Sequence, residues 1–284
     1  MSKVAIVTDS TAYLPPETYA DLPMHILPLQ LIWGDELFRD GVDIKPDEFY
    51  RKLESSDITP TTSQPSPKVF QDKYQELLDQ GYEILSIHIS TGLSGTVNSA
   101  EQAKNLLKSD KIEVVDSQVT GMALGFMALF TARAAKNGAS LAECKAMAES
   151  MVPDAGAVFA VSTLEYLHKG GRIGSASAFL GTALQLKPIL WLNNGKIEAK
   201  EKIRTFNKAL DRMVNLMVEI AGGRKVAVGI VHADAEEAGA KILQRTVEAI
   251  GADKVPEQVL TAVSPVIGTH TGPGTVGICF LLMD

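Results

Sequence analysis

The sequence has few of the residues that build disulfide frameworks, metal knuckles and nucleic-acid surfaces. Its 284 residues include two cysteines, Cys144 and Cys279, which lie far apart and form no CxxC pair. A disulfide framework and a cysteine-ligated metal are therefore not expected, and the five histidines show no ligand spacing either. Lysine and arginine form no dense run and the net charge is −7, which disfavours a nucleic-acid partner.

Long apolar runs are also missing. The most apolar stretch, 122–130, is interrupted by Gly125 and followed by Arg133, whereas a bilayer span needs about 20 apolar residues. The first apolar residues, 4–7, follow one lysine and precede Asp9, which is too short for a signal peptide and typical of a first strand. Together with the low cysteine content, these features predict a cytoplasmic protein.

The composition and the order of the elements predict a two-domain α/β protein. Hydrophobic residues make up 45% of the chain and charged residues 21%, as in ordinary globular proteins, and 284 residues suit two domains. Strand patterns that alternate with helical patterns favour parallel βαβ units in the first half. Residues 153–156, Pro-Asp-Ala-Gly, form the best boundary. We therefore predict a parallel, Rossmann-like sheet in domain 1–154 and a mixed sheet in domain 155–284.

Small hydroxyl residues and glycines occupy 90–96, where a predicted strand ends and a predicted helix begins. In an open α/β sheet, free backbone N–H groups and the positive end of the helix collect there, and ligands usually bind there. Ser94 and Thr96 supply hydroxyl donors, and Gly95 lets the backbone approach a ligand. The alternative is a capped turn with Ser94 or Thr96 as N-cap, which this stretch alone favours.

Three further stretches share this character. Thr62 lies in a loop, 59–67, whose three prolines make it either a rigid connector or a place for a fixed hydrogen-bond donor. Arg172 is surrounded by three glycines, which indicates either a solvated arginine after a capped helix or an exposed guanidinium on a turn. His270 lies among four glycines and three threonines, so we expect an accessible loop histidine of near-neutral pKa with a functional role.

Together these motifs resemble the DegV family of bacterial lipid-binding proteins, in the order of that family and from the first predicted strand to the last. The matching segments are Asp-Ser-Thr at 9–11, Thr-Ser-Gln-Pro-Ser at 62–66, Gly-Leu-Ser-Gly-Thr at 92–96, Asp-Ser at 116–117, Gly-Gly-Arg-Ile at 170–173, Lys-Pro-Ile-Leu at 187–190 and Gly-Thr-His-Thr-Gly-Pro-Gly at 268–274. One departure is Thr91, where the family pattern has a second serine; the hydroxyl is kept.

The resemblance implies two α/β domains that clamp one long-chain fatty acid in a buried channel between them. It implies no cofactor and no turnover by this chain alone. Members of the family act as the lipid-binding subunit of a bacterial fatty acid kinase and present the carboxylate to a separate ATP-dependent kinase subunit. That subunit makes acyl phosphate for phospholipid synthesis. Lipid exchange would involve transient contact with a membrane.

The resemblance also implies roles for individual residues. Thr62 and Ser94 would bind the carboxylate, with His270 close by. Arg172 and Arg204 would lie at the channel mouth or contact the kinase subunit. The supporting loop residues would be Ser63, Gly95, Thr96, Gly268 and Thr269. Apart from the resemblance, the nearly all-apolar residues from Thr120 to Lys136 predict a helix, and its Phe126, Met127 and Phe130 belong either to a wall for the tail or to an ordinary core helix.

Two enzymatic alternatives remain open at this point. Ser94, Asp116 and His270 follow the chain order of the serine hydrolase triad, although Thr96 stands where the nucleophile elbow needs glycine. Asp116 also comes early for a third member of such a triad. A nucleotide-binding enzyme is less favoured, since no Walker lysine follows Gly95 and no GxGxxG follows the first strand.

Overall fold

The computed structural model describes residues 3–180 and 187–284, which form three sheets and the helices that cover them. The strands are β1 (Lys3–Asp9), β2 (Met24–Leu27), β3 (Gln30–Trp33), β4 (Glu36–Arg39), β5 (Thr61–Ser63), β6 (Tyr82–His88), β7 (Ile112–Asp116), β8 (Ala155–Ala160), β9 (Ile189–Asn193), β10 (Lys196–Glu201), β11 (Lys225–His232), β12 (Gln258–Ala262) and β13 (Val276–Met283). The α-helices are α1 (Pro46–Ser55), α2 (Pro67–Asp79), α3 (Thr96–Leu107), α4 (Met122–Lys136), α5 (Leu141–Met151), α6 (Glu165–Lys169), α7 (Phe206–Ala221), α8 (Glu236–Ile250) and α9 (Pro265–Thr271).

The first sheet is parallel, with strand order β2-β1-β6-β7. Its central strand β1 is buried on both faces, as expected for a parallel strand covered by helices on each side. Helices α2 and α3 cover one face, and α4 and α5 cover the other. The prediction of a parallel sheet in the first half is confirmed.

The second sheet is mixed, with strand order β10-β9-β8-β13-β11-β12, in which the pair β11–β12 is parallel and the other pairs are antiparallel. The hairpin between β9 and β10 turns at Asn194 and Gly195, both at positive φ, as the Asn-Gly pair predicts. Helices α7 and α8 pack against this sheet with amphipathic faces. The prediction of an α/β fold with a mixed second sheet is therefore also confirmed.

Helix α4 lies between the two large sheets. It contacts β1 and β6 on one side and β8, β11 and β13 on the other, and its residues belong to one continuous apolar cluster. Gly125 allows the backbone carbonyl of Ala12 to pack directly against the helix, because a Cβ at this position would overlap that oxygen. Because α4 joins the two sheets in a single core, the domain boundary at 154/155 stays a prediction.

A third, small antiparallel sheet of order β4-β3-β5 carries Thr62. The prediction of a loop at this position is wrong, because Thr62 pairs with Leu31 of β3 and thus gains backbone partners from a segment 31 residues earlier. Pro60 and Pro65 flank the strand instead of interrupting it. Within the described residues, no helix is long and apolar enough to span a membrane.

Candidate functional site

A narrow cavity lies between the parallel sheet and the mixed sheet. Its walls are formed mainly by apolar side chains from both halves of the chain, among them Leu29, Ile89, Phe159, Val231 and Val263. The free space between the walls, including the open end, is about 910 Å³, and only a small part of it is wide enough for a water molecule. Such a slot matches the thickness of an unbranched alkyl chain better than that of a bulky ligand.

Polar groups from two distant segments meet in the wall of this cavity. The Oγ1 atom of Thr62 lies 2.8 Å from Nε2 of His270, at hydrogen-bond distance. Thr62 is placed by the pairing of β5 with β3, and His270 by α9, which Pro265 begins and Gly272 ends. The sequence prediction that these two residues belong to one site agrees with this geometry, although their ligand is not tested by it.

The surroundings of His270 differ from the prediction. The residue belongs to helix α9 instead of a loop, and its ring packs against Gly170, where a Cβ would overlap Nδ1. Burial, together with the nearby positive charge of Arg172, lowers the pKa of His270 to about 4. The expectation of a loop histidine with near-neutral pKa is therefore wrong, and the half-buried imidazole is neutral at pH 7.

Ser94 contributes a second hydroxyl to the cavity wall. Its Oγ lies 2.9 Å from Oγ1 of Thr96, and the N-cap of α3 is Gly95, without a side-chain cap. The alternative in which Ser94 or Thr96 caps the helix is therefore wrong. Gly95 instead allows the amide of Gln64 to pack against the backbone, because a Cβ would come within 2.9 Å of Nε2. The uncapped start of α3 leaves backbone N–H groups beside Ser94, an arrangement that suits an anion.

Among the described residues, one cationic side chain lines the cavity. Arg172 lines it and is held in place by Nε donating to the carbonyl of Leu93 at 3.1 Å and by a second hydrogen bond to the carbonyl of Gly170. Arg204 lies beyond the end of β10, is exposed, and does not line the cavity. The structure thus does not place Arg204 in the cavity wall, and its contact with a partner stays a prediction.

The predicted supporting residues divide into two groups. Ser63 lines the cavity next to Thr62, while Gly95 and Thr96 support Ser94 from the start of α3. Gly268 and Thr269 lie in α9 and do not line the cavity. Gly268 faces the rings of Phe49 and Tyr50, and the Thr269 hydroxyl donates to a backbone carbonyl in its own helix. They support the helix that carries His270 and are not part of a loop.

Of the two interpretations of the helix from Thr120, the core helix agrees with the structure and the tail wall does not. Phe126, Met127 and Phe130 pack in the core between the sheets and do not line the cavity. The helix begins at Met122, and the segment just before it, Thr120 and Gly121, forms part of the wall instead. An apolar helix that lies between two sheets presents its large side chains to both of them, so the composition of α4 does not indicate a cavity.

The hydrolase triad is not assembled. Asp116 accepts hydrogen bonds from Thr91, Ser94 interacts with Thr96, and Nδ1 of His270 has no hydrogen-bond partner among the described residues. A serine nucleophile needs a histidine within hydrogen-bond reach and a third group that orients that histidine. Neither pairing exists here, so the geometry does not support the hydrolase alternative.

A different chain of Asp, His and Ser side chains does form, in the interior of the parallel sheet. Nδ1 of His88 lies 3.0 Å from Asp9, and Nε2 lies 2.6 Å from Ser86, which also accepts from Tyr74. All of these side chains are buried away from the cavity. Asp9 also accepts from the backbone N–H groups of Thr11 and Ile89, so this network fixes strand ends next to the site.

Several wall residues were missed by sequence reasoning, among them Tyr13, Gln64 and Cys279. Tyr13 follows the Asp-Ser-Thr motif and has a left-handed backbone with φ of 56°. Its signal was its position just after the first strand, at the edge where ligands usually bind. Cys279 lies in the buried part of β13, where nothing in the sequence distinguishes a wall residue from a core residue.

The site as a whole suits an amphiphile with one acidic end. The apolar slot would take a long unbranched tail, and the hydroxyls, the start of α3 and Arg172 would attract an anionic head. Among the described residues, no cluster of His, Cys, Asp and Glu could hold a metal ion.

Comparison with known proteins gives matches over almost the whole chain. A family model described as an uncharacterised protein of the DegV family matches residues 3–282. Protein DegV of Bacillus subtilis is 39% identical over 282 residues, covering 98% of both chains.

Solved structures agree with this assignment. A fatty-acid-binding DegV family protein from Thermus thermophilus has a TM-score of 0.91 at 37% identity, over 99% of this chain and 100% of that one. A stearic acid-binding protein from Eubacterium ventriosum has a TM-score of 0.89 at 26% identity, over 99% and 98%. The family model and the relatives together show that the chain belongs to the DegV family.

Proposed function

We propose that this chain binds one long-chain fatty acid in the cavity and presents its carboxylate to a separate ATP-dependent kinase subunit. Thr62 and Ser94 bind the carboxylate, His270 lies beside it and Arg172 lies at the mouth. The observation that carries the proposal is the narrow apolar slot that also holds the Thr62–His270 pair. The relatives described as fatty-acid-binding proteins support the binding step of the proposal.

The tail supplies the affinity. Burying one CH₂ contributes about 0.8 kcal/mol, so a chain of roughly sixteen carbons contributes on the order of 10 kcal/mol before the cost of ordering it. Because the slot is narrow, its apolar walls contact the chain along its length, as a tightly packed interior does. The head group then needs orientation more than additional affinity.

The neutral Thr62–His270 pair suits that role. When the Thr62 hydroxyl donates to a carboxylate, its oxygen accepts from Nε2–H of His270. This tautomer leaves Nδ1 as an unprotonated acceptor facing Gly170, which costs less than burying an unpaired N–H there. The carboxylate thus keeps its charge and its nucleophilic oxygen and is not held in a buried ion pair.

In the reaction, a carboxylate oxygen attacks the γ-phosphorus of ATP, the bond to the bridging oxygen breaks, and ADP leaves with acyl phosphate as the product for phospholipid synthesis. The kinase subunit supplies the nucleotide site, and this chain supplies orientation. The exposed guanidinium groups of Arg172 and Arg204 are the contacts we propose for that subunit. The proposal also places the protein in the cytoplasm and has it exchange lipid during transient contact with a membrane.

The test is a coupled assay with a bacterial fatty acid kinase subunit, Mg-ATP and the lipid-loaded chain, with acyl phosphate trapped by hydroxylamine. The expected result is acyl hydroxamate well above that obtained with free fatty acid alone. Arg204→Gln should reduce the rate without changing fatty acid binding, whereas the surface control Lys208→Gln should change neither. Equal product with and without the loaded chain would overturn the presentation step.

A further inference from the structure

Within the described part of the chain, two hydroxyl groups of cavity-lining residues lack a hydrogen-bond partner. Tyr13 and Thr120 both line the cavity, and their Oη and Oγ1 atoms are buried without a hydrogen-bond partner among the described residues. Tyr13 is 9% exposed, and burial raises the pKa of its phenol well above the usual value, so it is a neutral donor. The head-group hydroxyls of Thr62 and Ser94, in contrast, both have partners.

The fold brings these two residues to one part of the wall. The backbone N–H of Gly121 donates to the carbonyl of Thr11 at 2.8 Å, which holds the start of α4 against the turn that carries Tyr13. Gly121 faces the Tyr13 ring and Sγ of Cys279, with a Cβ position 3.5 Å and 3.0 Å from them. Thr120 is the residue immediately before Gly121, so both hydroxyls belong to the wall where α4 begins.

This part of the wall lies away from the head-group pair. Ser264, the N-cap of α9, is a neighbour of the Tyr13 phenol, although the two hydroxyls do not reach hydrogen-bond geometry. His270 lies six residues further along the same helix, a distance of about 9 Å at 1.5 Å per residue. With C–C bonds of about 1.5 Å at tetrahedral angles, an extended alkyl chain advances about 1.3 Å per bond. A tail that runs alongside α9 from His270 would therefore pass this part of the wall near its eighth carbon.

A purely apolar tail leaves both hydroxyls unpaired, and buried polar groups in proteins are nearly always paired. We propose that Tyr13 and Thr120 form a second polar subsite that recognises a mid-chain oxygen substituent, so that the cavity accepts long-chain hydroxy fatty acids. The inference rests on the proposed fatty acid binding and adds a ligand class to it. A site with buried polar groups discriminates strongly in favour of a ligand that pairs them.

The test measures dissociation constants for octadecanoic acid and for its derivatives with one hydroxyl on the third, ninth or last carbon. The proteins are the wild type, the double variant Tyr13→Phe/Thr120→Val, and Tyr50→Phe. Both substitutions in the double variant keep the shape of the side chain and remove its hydroxyl. Tyr50 is the matched control, because its buried hydroxyl contacts the carbonyl of Val263 and the residue does not line the cavity.

In the wild type, the acid with the hydroxyl on the ninth carbon should bind at least as tightly as octadecanoic acid and more tightly than the other two isomers. The double variant should weaken its binding about tenfold relative to octadecanoic acid, and Tyr50→Phe should leave this ratio unchanged. Tight binding of octadecanoic acid with the same ratio in every protein would overturn the subsite alone. No binding of octadecanoic acid would overturn the proposed function and the subsite with it.

Discussion

The Thr62 hydroxyl is the group whose removal should separate head-group recognition from tail binding. Thr62→Val keeps the shape and the β-branch, which suits a strand residue such as those of β5. It removes the contact to Nε2 of His270 and the hydrogen bond that we propose to the carboxylate. Thr61→Val is the matched control, because Thr61 is exposed in the same strand and does not line the cavity.

The size of the effect follows from the charge on the head group. A hydrogen bond to a charged group contributes about 1.5–3 kcal/mol, and one between neutral groups about 0.5–1.5 kcal/mol. At about 1.4 kcal/mol per tenfold change, Thr62→Val should weaken fatty acid binding by about 10- to 150-fold. The fatty alcohol of the same length has the same tail and a neutral head, so its affinity should fall by about tenfold at most.

Titration calorimetry with the acid and the alcohol measures both effects, and thermal unfolding without ligand checks that the variant is folded. The acid should lose more affinity than the alcohol in Thr62→Val, and neither ligand should lose affinity in Thr61→Val. An equal loss for acid and alcohol would refute the assignment of Thr62 to the carboxylate, and so would the absence of any loss.

Three further predictions concern Ser94, Gly170 and His270. Ser94→Ala should weaken binding of the acid about tenfold, because the proposed hydrogen bond to the carboxylate is lost. The circular dichroism spectrum should stay unchanged, because within the protein the substitution removes only the neutral hydrogen bond to Thr96. Unchanged lipid loading and kinase coupling would count against the assignment. Gly170→Ala should lower acid affinity and destabilise the protein by about 1–3 kcal/mol in urea unfolding, because the new methyl group displaces His270 from Thr62; wild-type affinity would contradict this packing. The pKa of His270, about 4 when folded and near 6.5 when unfolded, means that the unfolded chain binds more protons between these values, so stability falls as the pH drops through them. Between pH 7 and pH 4, the free energy of unfolding of the wild type should therefore fall by up to about 3 kcal/mol more than that of His270→Gln. Parallel curves of unfolding free energy against pH for the two proteins would show that His270 is not buried as described.

The elements with strong local signals could be predicted from the sequence. The alternation of strand and helix patterns predicts the parallel sheet, and the Asn-Gly pair predicts the hairpin of β9 and β10, and the structure has both. These features depend on short-range periodicity and on turn residues that favour positive φ. The motifs also led to Thr62, Ser94 and His270, all of which line one cavity.

What could not be predicted depends on contacts between distant segments. The strand β5 exists because residues 61–63 pair with β3, and three residues flanked by prolines carry too little pattern to indicate a strand. The low pKa of His270 arises from burial beside Gly170, 100 residues earlier in the chain. The role of α4 in the core, instead of the cavity, follows from its position between two sheets.

The measurement that tests the central claim most directly is native mass spectrometry of the purified protein, followed by solvent extraction and identification of the lipid. We expect a stoichiometric adduct with the mass of a long-chain fatty acid, lost on extraction and restored by incubation with that acid. A mass equal to that of the bare chain, unchanged after incubation with fatty acids, would contradict fatty acid binding in this cavity.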